Sequence, residues 1–216
     1  PQIHQAMRAA LATGVLTEGV ADGFVLVERL TESGTHVGLL TLIDLEGYDY
    51  RAGSQTAARA TEGTILSRIP PRLMVRRGAA LELSHVLLLI DDPQETVVEP
   101  LFDRREHLRK LYDFPLMLGG GHLRGYAVTE KNDLAGVFAA LRSLKERLAG
   151  GMLYAVGDGN HSLATAKAYW EELTPTVPEA ERATHPARFA MVELQNIHSE
   201  ALMFEPTETE GRETLD

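Results

Sequence analysis

The stretch that decides the fold reads YAVGDGNHSLATA and spans residues 154–166. Apolar residues up to Val156 predict a short buried strand, the glycines of Gly157–Gly159 predict a turn, and the alanine-rich segment Ser162–Leu173 predicts a helix. A strand that passes through a turn directly into a helix is typical of proteins in which helices cover a β-sheet. The segment therefore indicates an α/β architecture.

Two further segments extend this sheet. Residues 24–30 and 36–44 have strand-like composition and are separated by Thr31-Glu32-Ser33-Gly34, a pattern that predicts a β-hairpin. The almost uninterrupted apolar run His85–Ile90 is typical of a strand buried on both faces, near the centre of a sheet. The predicted fold class is thus α/β, a mixed sheet with flanking helices, and an α+β arrangement is the alternative.

Two segments are predicted to be helical outside this frame. Residues 59–68 read as a short helix that ends at Pro70-Pro71, because proline cannot continue a helix interior. Residues 98–112 read as a charged amphipathic helix.

Composition excludes several classes of function. The 216 residues include no cysteine, which removes disulfides, zinc–thiolate sites and thiol nucleophiles and fits a reducing, cytoplasmic location. The formal net charge of −10 makes nucleic acid an improbable partner, since a phosphate backbone would be repelled. No apolar run approaches the roughly 18 residues that a membrane-spanning helix needs.

The loop within the opening stretch is the main candidate for a functional site. A helix start offers unpaired backbone N–H groups, and glycine lets a ligand approach the backbone closely, so the loop is predicted to bind phosphate. The candidate ligand-binding residues of this loop are Gly157, Gly159, Asn160 and Ser162. The candidate catalytic residues are Asp158, which is also the candidate Mg²⁺ ligand, and His161. The alternative is a plain turn in which Asp158, Asn160 or Ser162 merely caps the helix.

A second candidate is the segment that begins at Arg59. Glu62 is the predicted catalytic base, while Arg59 or Arg68 could contact an anion. The alternative is a capped surface helix with solvated arginines. A third candidate, Asp91-Asp92-Pro93, could hold Mg²⁺ or simply form a turn.

Five motifs occur together, in an order shared with a known family. They are residues 43–50 (IDLEGYDY), 59–72 (RATEGTILSRIPPR), 89–93 (LIDDP), 157–166 (GDGNHSLATA) and 185–188 (HPAR). On these motifs the chain resembles the DUF1015 family of bacterial and archaeal proteins of unknown function, from about residue 3 to residue 206. The resemblance implies a single domain over residues 1–206, without an N-terminal segment that members usually carry. Residues 207–216 depart from the family pattern and are expected to be a polar tail or a discontinuous segment.

More distantly, the family resembles the ParB/sulfiredoxin-like group, which includes a free-serine kinase. Residues 159–162 (Gly-Asn-His-Ser) are similar to the Gly-Cys-His-Arg loop with which sulfiredoxin holds nucleotide phosphates. Asn160 stands at the position of the reactive cysteine, which excludes reductase chemistry. Ser162 stands at the position of the phosphate-binding arginine, so Arg59 or Arg68 would have to supply that charge.

These observations leave two hypotheses for function. The first is a nucleotide-dependent enzyme that acts on a small molecule by kinase-like phosphotransfer, with ATP or ADP and Mg²⁺ as cofactors. The second is a non-catalytic domain that senses a nucleotide or an anionic metabolite. A carboxylate and His161 that share a pocket within about 6 Å favour the enzyme, because charged groups perturb each other at that separation, whereas an anion site alone favours the sensor.

Overall fold

A single β-sheet forms the centre of the fold. The computed structural model describes residues 2–82, 85–148, 150–199 and 201–202, and within these it contains one nine-stranded sheet. Its strands are β1 (Phe24–Thr31), β2 (Gly34–Asp44), β3 (Tyr48–Asp49), β4 (Ala58–Ala60), β5 (Leu87–Ile90), β6 (Arg109–Pro115), β7 (His122–Val128), β8 (Tyr154–Asp158) and β9 (Phe189–Asn196). Their order is β3-β4-β8-β5-β9-β2-β1-β7-β6.

Both strand directions occur in this sheet. The pairs β3–β4, β4–β8 and β5–β9 are parallel, and the remaining neighbours are antiparallel. The predicted hairpin is confirmed, since β1 pairs with β2 from Val25↔Leu40 to Thr31↔Gly34. β5 lies inside the sheet between β8 and β9, in agreement with its apolar sequence.

Helices pack over the sheet and complete the α/β fold that the sequence predicts. They are α1 (Gln2–Ala12), α2 (Ile69–Arg76), α3 (Glu99–Asp103), α4 (Lys131–Arg147), α5 (Asn160–Leu173) and α6 (Glu179–Arg182). The predicted helix after the Gly-x-Gly turn is confirmed as α5, and its small residues Ala164 and Ala166 are fully buried. Among the residues described, no helix is both long and apolar enough to cross a membrane.

The prediction of a helix at residues 59–68 was wrong. Residues 58–60 form strand β4, and a 3-10 turn at Leu66–Arg68 leads into α2. Pro70 and Pro71 lie in the first turn of α2 and begin that helix rather than end one. Proline suits this position because the first N–H groups of a helix have no acceptor within it.

The prediction of a long helix at residues 98–112 was also wrong. Only Glu99–Asp103 is α-helical, a 3-10 turn follows at Arg105–His107, and the chain then enters the edge strand β6. β6 pairs with β7, so tertiary contact outweighs the local helical pattern here. The expected tail at residues 207–216 lies outside the described residues.

A charged side chain is buried in the middle of the sheet. Glu193 on β9 is only 2% exposed, and its carboxylate accepts hydrogen bonds from Arg29 at 3.3 Å and Gln195 at 2.7 Å and contacts His85 Nε2 at 2.9 Å. A Cβ at Gly38 would lie 2.3 Å from Glu193 Oε1, so glycine makes room for the carboxylate. Burial alone would raise the pKa of Glu193, but Arg29, Gln195 and His85 outweigh it and lower that pKa.

Candidate functional site

Two segments that are far apart in sequence meet at the carboxyl ends of the neighbouring parallel strands β4 and β8. Ala60 at the end of β4 pairs with Val156 of the parallel strand β8. Just beyond this pair, the Thr61 hydroxyl donates a hydrogen bond of 2.5 Å to the carbonyl oxygen of Val156. Ligands of α/β sheets collect at the carboxyl ends of parallel strands, which is where these segments meet.

The turn between β8 and α5 consists of one residue, Gly159. Its φ is +82°, and a Cβ there would lie 2.8 Å from the carbonyl oxygen of His85 and 3.0 Å from Cα of Val86. Both the left-handed backbone and the close approach require glycine. The Asp158 carboxylate accepts a hydrogen bond of 2.7 Å from the Gly159 amide and so stabilises the turn.

The start of α5 carries unsatisfied polar groups. The amides of Asn160, His161 and Ser162 precede the first bond of the helix ladder, from the Leu163 amide to the carbonyl oxygen of Gly159 at 2.9 Å. The Asn160 side chain is only 4% exposed, and its Oδ1 has no hydrogen-bond partner among the residues that the structure describes. Buried polar atoms in native proteins usually have a partner, so this oxygen is an exception among the described residues, but it is enclosed by protein and lines none of the cavities of about 520, 690 and 450 Å³.

The predicted base and the predicted imidazole lie side by side. Glu62 Oε1 is 4.0 Å from His161 Nδ1, and the two side chains are 62% and 13% exposed. His161 Nε2 faces the Ile65 amide at 3.1 Å and must accept from it. This geometry assigns the proton of a neutral imidazole to Nδ1, the atom nearest Glu62.

A cavity of about 520 Å³ opens beside this pair, and its wall includes Glu62, Thr64 and Arg59. Arg59 donates from Nε to the carbonyl oxygen of Thr56 at 2.9 Å and from Nη2 to that of Gly150 at 2.7 Å. These bonds fix the guanidinium of Arg59, a residue that lines the same cavity as Glu62. The volume falls in the range of small-molecule sites.

Not all of the predicted residues converge on this cavity. Asp158 and Arg68 are exposed and do not line it, and Ser162 lines a different cavity of about 690 Å³. His161 does not line the cavity directly but contacts Glu62, which does. The structure therefore places Arg59 and Glu62 in one cavity wall, with His161 beside Glu62. The other predicted residues do not line this cavity; they are Arg68, Gly157, Asp158, Gly159, Asn160 and Ser162.

A metal ion at Asp158 would need ligands from outside the protein. Within the described ranges, no three His, Asp or Glu side chains converge as ligands for an ion. Mg²⁺ tolerates such a site, because it is commonly held by one or two carboxylates, with phosphates and water completing its shell. Asp158 is compatible with that role only together with a bound phosphate.

Sequence reasoning missed three cavity residues, Tyr50, Arg51 and Thr64. Arg51 forms ion pairs with Asp49 at 3.3 Å and Glu171 at 3.2 Å. The Thr64 hydroxyl is buried without a partner among the described residues. The segments at residues 43–50 and 59–72 were noticed as motifs, but nothing local indicates that they share a cavity.

The third candidate, Asp91-Asp92-Pro93, has the geometry of a turn. The Asp92 side chain is fully buried and accepts hydrogen bonds from the amides of Thr96 at 2.6 Å and Val97 at 3.0 Å. Its carboxylate is occupied by the backbone that follows it.

Comparison with known proteins identifies a family and nothing closer. The family model described as "Protein of unknown function (DUF1015)" matches residues 1–208. No curated protein and no solved structure shows significant similarity to the chain.

Proposed function

This chain belongs to the DUF1015 family, and we propose that it is a nucleotide-dependent enzyme that transfers a phosphoryl group to a small molecule. The observation that carries the proposal is the approach of Glu62 Oε1 to His161 Nδ1, at 4.0 Å, beside the start of α5. Each part of the proposal rests on one group of contacts at this edge of the sheet.

The start of α5 is the proposed phosphate site. α5 has 14 residues, so the amides of its first turn carry the positive end of a substantial helix dipole. Gly157 and Gly159 make room for neighbouring protein, because a Cβ at Gly157 would meet Leu89 and one at Gly159 would meet His85 and Val86. Asn160 Oδ1 is enclosed by protein in this structure, so it would contact a ligand only after the start of α5 shifts. A nucleotide is the proposed phosphate donor because of the likeness to the loop of the ParB/sulfiredoxin-like group.

Glu62 is the proposed general base. Its exposed carboxylate would take the proton from a substrate hydroxyl while the hydroxyl oxygen attacks the terminal phosphorus. The bond from that phosphorus to the leaving nucleotide then breaks. His161 Nδ1 lies 4.0 Å from the Glu62 carboxylate, and a small movement of the exposed Glu62 side chain would bring the two within hydrogen-bond distance.

Arg59 is the proposed source of positive charge for the transferred phosphate. It lines the same cavity as Glu62, whereas Arg68 does not. Asp158 is the proposed Mg²⁺ ligand, with phosphate and water completing the coordination. Mg²⁺ would neutralise charge on the phosphates, and the protein would contribute mainly position and electrostatic stabilisation.

A specific distance favours an enzyme over a sensor. A domain that only senses an anion needs the start of α5 but no carboxylate beside the imidazole. Glu62 Oε1 lies 4.0 Å from His161 Nδ1, and Glu62 also lines the cavity of about 520 Å³. The surface position of Glu62 also leaves it accessible to a substrate.

The test separates binding from turnover. Melting temperature is measured with ADP, ATP and CTP in the presence of Mg²⁺, and ATP consumption is measured with small hydroxyl compounds, free serine among them. Glu62→Gln is expected to keep the nucleotide-induced rise in melting temperature and to lose turnover by about 10²–10⁴-fold. The matched control, Glu18→Gln, changes an exposed carboxylate far along the sequence and should keep both.

Three outcomes distinguish the hypotheses. Loss of turnover in Glu62→Gln with retained binding supports the enzyme. Binding without turnover for any compound supports the sensor. No response of the melting temperature to any of the three nucleotides rules out the enzyme and a nucleotide sensor, and leaves only a sensor of another anionic metabolite.

A further inference from the structure

A separate cavity lies between α4 and the sheet. We call it the α4 cavity, and its volume is about 450 Å³. Its apolar lining includes Phe24, Leu39, Val137, Leu153, Val192 and Leu194. None of these residues belongs to the candidate site at the start of α5.

The lining of the α4 cavity suits an apolar ligand. Val192 and Leu194 are each 1% exposed and Val137 is 3% exposed, although all three line the cavity. The same lining also includes Leu42 and Phe138, which are 62% and 56% exposed, so the cavity has a buried apolar floor and opens to solvent. An aliphatic chain can bury its CH₂ groups against this floor, and burial of each group stabilises its binding.

The rim of the α4 cavity is positively charged. Arg142 and Lys145 are exposed, lie three residues apart on α4 and both belong to the lining. Neither forms a hydrogen bond or an ion pair with any residue that the structure describes. The one carboxylate of the lining, Asp44, already accepts hydrogen bonds from Arg188 at 2.9 and 2.6 Å. Two uncompensated cations therefore stand beside an apolar space.

We propose that the α4 cavity binds a free fatty acid. The aliphatic chain would lie between α4 and the sheet, and the carboxylate would contact Arg142 and Lys145. The ligand is a monomeric carboxylate rather than a lipid bilayer, because the apolar floor of the cavity is buried and the net charge of −10 opposes approach to an anionic membrane. This binding is independent of the proposed phosphotransfer.

Calorimetric titration with dodecanoate, below the concentration at which it forms micelles, tests the proposal on the full chain. One molecule is expected to bind per chain. Affinity should rise roughly three- to fourfold per added CH₂ from octanoate upwards, until the cavity is full. Dodecanol, which lacks the charge, should bind at least tenfold more weakly than dodecanoate.

Two charge-reversal variants test whether the cations at the rim of the α4 cavity bind the carboxylate of the ligand. Arg142→Glu/Lys145→Glu is expected to weaken dodecanoate binding at least tenfold. The control Arg8→Glu/Lys131→Glu changes the net charge equally at exposed sites outside the cavity and should stay within twofold of the unmodified chain. Leu141→Phe narrows the cavity and should also weaken binding, with the fold checked by circular dichroism.

Several results would overturn the proposal. They are the absence of saturable binding, equal affinity for dodecanol and dodecanoate, and equal weakening in the two double variants. Co-sedimentation with phosphatidylglycerol vesicles that is lost in Arg142→Glu/Lys145→Glu would assign these residues to a membrane surface instead.

Discussion

His161 Nε2 accepts a hydrogen bond from the backbone amide of Ile65 at 3.1 Å, and this bond ties the loop at residues 61–65 to the first turn of α5. The loop carries Glu62, so the bond also fixes the separation between the two proposed catalytic groups. The arrangement makes the exchange rate of a single amide a measure of site integrity.

Removal of the imidazole should release this amide. In His161→Ala, hydrogen exchange at Ile65 is expected to accelerate about fivefold, which corresponds to the ~1 kcal/mol of a typical net hydrogen bond. The control His107→Ala removes an exposed imidazole elsewhere and should leave Ile65 unchanged. Unaltered protection of Ile65 in His161→Ala would show that other contacts hold the loop.

Replacement of Gly159 should destabilise the fold more than its backbone angle alone requires. Gly159→Ala is expected to lower the free energy of unfolding in urea by about 2–4 kcal/mol, since strain at positive φ adds to the clash with His85 and Val86. Gly78→Ala is the matched control, because φ there is +72° and nothing lies within 4 Å of the added Cβ. It should cost only about 1 kcal/mol. Equal losses would mean that the turn relaxes around the methyl group.

The carboxylate of Glu193 should make stability depend on acid pH. Its pKa is lowered in the folded state from an ordinary value of 4.5. Its contribution is therefore complete above pH 4.5 and is lost as pH falls through the lower folded pKa. Glu193→Gln is expected to cost about 3–5 kcal/mol at pH 7, because Arg29 loses its buried partner, and to flatten the acid limb of stability against pH.

The exposed Glu32 provides the comparison for this pH profile. Glu32→Gln should change stability by less than about 0.5 kcal/mol and should keep the slope of the acid limb. If the free energy of unfolding of Glu193→Gln depends on acid pH as steeply as that of the unmodified chain, the dependence comes from other carboxylates.

The tight packing of α5 should resist larger side chains. Ala164 is fully buried, so Ala164→Leu is expected to lower the free energy of unfolding by about 1–3 kcal/mol through overpacking. Ala139 on α4 is exposed, and Ala139→Leu should stay within about 0.5 kcal/mol of the unmodified chain. Denaturant unfolding followed by circular dichroism measures both, and an unchanged midpoint for Ala164→Leu would reveal free space beside α5.

The elements predicted correctly are those specified by local pattern. The β1–β2 hairpin follows from two strand-like runs around a short turn, and α5 follows from glycines placed directly before an alanine-rich segment. Residues 59 and 60 were mispredicted because their strand exists through pairing with β3 and with β8, and β8 is more than 90 residues away in the sequence. Pro70 is compatible with both the end of one helix and the start of another, so its sequence alone does not decide between them.

The candidate site was likewise predictable from the sequence only where it is formed by one local segment. The loop at residues 157–162 was recognised from its local sequence, and Glu62 was assigned to it only by a guess that two motifs meet. No local signal indicates that Arg59 lines the cavity with Glu62 while Arg68 points elsewhere. That distinction depends on the path of the chain after β4, which is set by tertiary contact.

The position of β9 has a consequence for how the protein is made. β9 is the last strand that the structure describes, yet it lies between β5 and β2 and is the only described connection between two four-stranded halves. A nascent chain that has not reached residue 196 would therefore present two unpaired strand edges at once. Such edges can pair with other chains, so ribosome stalling or truncation just before β9 should favour aggregation over a stable partial fold.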